Sequence, residues 1–88
     1  MKEEERVEIV SNLAGVFKGG RISGWVIRNR GALESGNWED VELDRLLVLS
    51  PSFAERTAGL TSLEKMDLIV KALALADESY LSATRLVV

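Results

Sequence analysis

A mainly α fold, a small single-domain bundle of about five or six short helices, is what this chain of 88 residues predicts. Three observations point there. Apolar residues recur at spacings of three and four over residues 3–17 and again over residues 62–76, the period of a helix with a buried face. Glycines punctuate the chain at Gly19-Gly20, Gly31, Gly36 and Gly59, and the only proline, Pro51, stands where a helix would open. The composition, 47% hydrophobic and 28% charged, with no repeat or linker, is that of one compact domain spanning residues 1–88.

The first helix is predicted over residues 3–17. Val7, Val10, Leu13, Ala14 and Phe17 make its apolar stripe, acids fill its first turn, Lys18 its last, and Gly19 is placed to close it in the left-handed conformation. A short helix starts at Pro51 under a Ser50 cap and ends at Gly59, turning Phe53 inward. The clearest helix covers residues 62–76, because Thr61 and Glu64 have the spacing of a capping box. After it, residues 78–87 place Tyr80, Leu81, Thr84, Val87 and Val88 on one face if helical, with Asp77 as cap, or form a last strand.

Residues 21–49 admit two readings. As helices, 22–30 ends on basic residues before Gly31, and 38–49 begins at an Asn37 cap with Glu39 and Asp40 in its first turn. As strands, Trp25-Val26-Ile27 would pair with the alternating Val41, Leu43, Arg45 and Leu47, giving an α+β fold with a hairpin in 21–49. The helical reading is the one adopted.

Composition also limits the chemistry. Without cysteine or histidine the chain lacks thiolate catalysis, thiolate zinc sites, the commonest general base and the commonest transition-metal ligand. The expectation is a protein that is not an enzyme and takes no cofactor or metal. Residues 1–8 are acidic and carry no apolar stretch of a signal peptide, and the aliphatic run 46–49 is far too short to cross a bilayer. A cytoplasmic protein without membrane contact is expected.

Charge order is the strongest functional feature. Lys18, Arg21, Arg28 and Arg30 come with no acid among them, and Glu34, Glu39, Asp40, Glu42 and Asp44 follow with no base. Such blocks can neutralise each other in one molecule, join two molecules, or leave the basic block for an anionic partner. Lys18, Arg21, Arg28 and Arg30 together with Trp25 are therefore the candidate nucleic-acid contact, the bases for phosphates and the indole for stacking. This is the alternative reading, since the net charge is −3.

Two further patterns carry less. Residues 53–61 look like the turn of a helix-turn-helix reader, but Ala54 and Gly59 stand one residue further apart than that motif uses, and Glu64 and Asp67 would face the duplex. Glu42 and Asp44, downstream of Gly31 and Gly36, are faintly similar to the paired carboxylates of small nucleotidyltransferases, which could share Mg²⁺ only from a strand.

The adopted function is a non-catalytic protein-protein interaction module, a small regulatory or adaptor protein that forms a homodimer or binds another protein. Its predicted interface is the second stripe of the 62–76 helix, Leu68, Ala72 and Leu75, which lies well around the cylinder from Leu63, Met66, Ile69, Val70 and Leu73. A central core helix is the plainer reading of the same two stripes.

Overall fold

The computed structural model describes the backbone of residues 1–87 and the side chains of residues 1–78. Five α-helices carry the chain: α1 Glu3–Lys18, α2 Ser23–Ser35, α3 Leu43–Leu49, α4 Pro51–Arg56 and α5 Ser62–Val87, with a 3-10 turn at Trp38–Asp40 between α2 and α3. No strand occurs among the described residues, so the mainly α reading is correct and the hairpin in 21–49 does not form.

The reason lies in three side-chain bonds that converge around Glu42. The Trp25 indole N–H of α2 donates to the Glu42 carbonyl at 2.9 Å, and the Glu42 backbone N–H donates to Asn29 Oδ1 at 2.8 Å. Asn29 Nδ2 donates in turn to the Trp25 carbonyl at 2.8 Å. Both backbone groups of residue 42 are thus satisfied by helix side chains, which removes the need for a ladder with a neighbouring strand.

α5 is the axis of the molecule. At 1.5 Å per residue its 26 residues run about 39 Å, nearly the full 43 Å length of the protein. Met1 and Arg6 share a hollow with Leu63, Glu64 and Asp67, so α1 and α5 start together and pack along each other. Ile9, Leu13, Ala14 and Phe17 of α1 and Trp25, Val26 and Leu33 of α2 join Ile69, Ala72 and Leu73 of α5 in one core, closed by Leu46 and Phe53. Phe17 and Trp25 stack with ring centroids 6.2 Å apart.

Local signals set most helix ends. The capping box forms: the Glu64 backbone N–H donates to Thr61 Oγ1 at 3.2 Å, and the Thr61 backbone N–H donates to Glu64 Oε1 at 3.2 Å. The Thr61 backbone N–H, with the Thr61 hydroxyl that also donates to Glu64 Oε1 at 3.0 Å, holds the Glu64 carboxyl below its ordinary range. Pro51 opens α4, although Ser50 makes no side-chain cap bond. Gly36 closes α2 at φ +75°, where a β-carbon would be strained.

Several expectations need correction: α4 ends at Arg56 rather than at Gly59, and Asn37 makes no side-chain cap bond. Gly19 stays right-handed at φ −69°, and Gly20, at φ +78°, makes the turn. Gly31 does not end α2, which runs on to Ser35. The single helix expected over 38–49 is divided, because residue 42 is held outside helical geometry by α2. Asp77 caps nothing: α5 passes through it without a break, since the Asp77 carboxylate is engaged by Arg30 of α2 instead. The face formed by Tyr80, Leu81, Thr84, Val87 and Val88 lies outside the described side chains.

Candidate protein-docking groove

The structure disperses the basic block. Trp25 is 2% exposed and belongs to the core, so its ring is closed to a stacking base. Arg28 Nε lies 3.3 Å from a Glu42 carboxylate oxygen, which joins the two blocks within one molecule. Arg30 forms a two-pronged pair with Asp77, at 2.8 and 3.0 Å, and also reaches Glu34 at 3.3 Å. Lys18 and Arg21 are exposed and make no ion pair among the described residues. Of the candidate nucleic-acid contact, then, Trp25 is enclosed and Arg30 is held by Asp77, while Lys18, Arg21 and the surface-paired Arg28 stay exposed.

The Arg30 pair holds the Asp77 carboxyl below its usual range, chiefly through the hydrogen bonds, while partial burial opposes the shift. Both side chains remain more than a third exposed, which screens the attraction. Asp77→Asn is expected to lower stability by about 0.5 kcal/mol at neutral pH, read from urea midpoints. The folded carboxyl titrates below the unfolded one, so the contribution is whole above about pH 4 and fades as acid protonates the folded group. Parent and variant should therefore converge in acid.

Two of the three predicted interface residues are core. Leu68 is 3% exposed and Ala72 is fully enclosed, while Leu75 is exposed, at 36%. Most of both stripes of α5 is covered because α1 packs on one flank and α2 touches another, with Leu63 and Leu75 left open.

The most exposed large apolar residue of α5 among the described side chains is one that periodicity assigned to the inside. Leu63, in the first turn after the Thr61 cap, is 65% exposed. It forms the ridge between two hollows. On one side a hollow of about 280 Å³ is lined by Met1, Arg6, Leu60, Leu63, Glu64, Asp67 and Leu68. On the other a groove of about 570 Å³ runs between the start of α5 and the Trp38–Asp40 turn with the start of α3. Buried Val41 and Met66 lie at its base, half-buried Trp38 and Leu43 and exposed Leu63 rise around it, and Glu39, Glu42, Asp44 and Arg45 make its polar rim.

Trp38, Leu43 and Leu63 were missed from sequence because each sits at a helical start, where periodicity cannot say whether a neighbour reaches. Glu42 and Asp44 do not form the strand-borne pair that a shared Mg²⁺ would need: Glu42 precedes α3, Asp44 lies in its first turn, and Glu42 faces Arg28. The helix-turn-helix likeness of residues 53–61 corresponds to α4 and the start of α5, where Glu64 is committed to its cap.

No protein-family model matches this chain, and no curated protein and no solved structure matches it either. No helix among the described residues is long and apolar enough to cross a membrane.

Proposed function

We propose that this chain is a non-catalytic protein-protein interaction module, a small adaptor or regulatory protein that binds through the surface around Leu63. The observation that carries it is an aliphatic side chain 65% exposed between two hollows with apolar walls. A large apolar group held out on a rigid helix costs solvation in the free protein, and a docking partner recovers it. Trp38 beside it adds the residue type most enriched where binding energy concentrates.

The predicted self-association surface is Leu68, Ala72 and Leu75, of which Leu68 and Ala72 are enclosed and Leu75 alone is open. The proposal is therefore for contact with another protein. Site-specific photo-crosslinking in the producing cell tests it, with the crosslinker at position 63 and, as control, at exposed Ala58. A discrete protein adduct at 63 that is absent at 58 supports the module, and an adduct of twice the 9.7 kDa chain would name a second copy as the partner. No adduct at 63, or the same adducts at both positions, overturns it.

A further inference from the structure

We infer that the occupant of the groove between Trp38, Leu43, Leu63 and Met66 is a short amphipathic segment of another protein that carries Lys or Arg beside its aliphatic residues. The inference rests on the interaction reading above and adds the chemistry of the partner. Its basis is charge complementarity around an apolar floor. Three carboxylates, Glu39, Glu42 and Asp44, stand on the rim against one guanidinium, Arg45. Glu42 shares its charge with Arg28, whereas Glu39 and Asp44 make no ion pair among the described residues.

The size and walls of the site point the same way. A groove of about 570 Å³ accepts the side chains of a short segment. Its base includes the Met66 thioether chain, which adapts to differently branched aliphatic groups. An acidic rim on an apolar trough favours the basic partner twice, by steering its approach and by repelling acidic segments of equal hydropathy. An amphipathic helix laid in such a trough would set its apolar face on Leu63 and Trp38 and its bases on Glu39 and Asp44.

Titration with three synthetic peptides tests this, using the intrinsic fluorescence of Trp38, since Trp25 is sealed in the core. The probes are a short Lys/Leu peptide, a Glu/Leu peptide of matched hydropathy, and a Lys/Ser peptide without aliphatic groups. Saturable binding of the Lys/Leu peptide alone is expected, weakening several-fold as salt is raised. The double reversal Glu39→Lys/Asp44→Lys should weaken it at least about tenfold, and Leu63→Ala about fivefold or more. Reversal of Glu55 and Glu78, neither of which lines the groove, should leave it within about twofold.

All these positions are exposed, so circular dichroism is expected to show every variant folded. Equal binding of the Glu/Leu or Lys/Ser peptide, equal loss on reversal at 55 and 78, or no binding at all overturns the inference. The crosslink at position 63 separates the two claims. A specific adduct there with no Lys/Leu binding sinks only the basic-segment assignment, whereas no adduct at 63 sinks the interaction reading beneath it.

Discussion

Trp25→Ala should cost about 4–5 kcal/mol, enough to leave much of the protein unfolded at 37 °C. The indole is 2% exposed and stacked on Phe17, so truncation opens a large cavity between α1 and α2 that the surrounding helices can only partly fill. It also removes the shorter of the two hydrogen bonds that the Glu42 carbonyl accepts, the other coming from the Leu46 backbone N–H. Trp25→Phe isolates that second effect: most of the packing stays, and the loss should fall to about 1–2 kcal/mol. Urea unfolding followed by circular dichroism reads both values. A Trp25→Ala protein within about 1 kcal/mol of the parent would show that the ring is not core, and the stacking role suggested by its basic neighbours would regain standing.

Trp25 illustrates where sequence reasoning stops. A tryptophan between Arg21 and Arg28 admits a base-stacking role beside the favoured core one, and the deciding partner, Glu42, lies 17 residues away. The elements that could be read are those whose causes are local. The α1 helix, the Pro51 start of α4 and the Thr61–Glu64 box each depend on residues within a few positions, and each is present, although in the α1 stripe Ile9 is buried in place of Val7, which is exposed. Residues 21–49 were ambiguous because the alternation of Val41, Leu43 and Leu47 is compatible with a strand until Trp25 and Asn29 seize residue 42.

The site was less legible than the fold for a related reason. Periodicity says which side of a helix is apolar but not how far along it the neighbours reach. Leu63 and Leu68 are both apolar positions of α5, yet only Leu68 is covered. Exposure therefore changed the expected assignment: Leu68 and Ala72, set aside for a partner, are core, and Leu63, set aside for core, is surface. The charge blocks show the same limit. Arg28 does meet the acidic block at Glu42, but the principal partner of Arg30 is Asp77, 47 residues on.

Asn29 binds the fold to the groove, and its replacement is the second large effect expected. The side chain is 1% exposed; it donates to the Trp25 carbonyl and accepts from the Glu42 backbone N–H, each at 2.8 Å. Asn29→Leu keeps the volume and deletes both bonds, leaving a partly buried N–H without a partner, for a loss of about 2–4 kcal/mol. Asn29→Asp keeps the acceptor but loses the donor and sets a buried carboxylate against a carbonyl, so its loss should match or exceed that of leucine and lessen in acid, as protonation restores a donor.

Because Trp25 and Asn29 hold the same residue from its two sides, their losses should not add. Once one side of residue 42 is free, the other bond restrains a looser segment, and the cycle through Asn29→Leu and Trp25→Phe should show a coupling of about 1 kcal/mol. Additive losses would mean that the two bonds act independently. The functional consequence follows from position: residues 41–44 form one wall of the groove, so Asn29→Leu should weaken docking of the Lys/Leu peptide under conditions where the protein is still folded. Undiminished docking in that variant would mean that residue 42 keeps its place without α2, and that the cradle set by Trp25 and Asn29 serves stability alone.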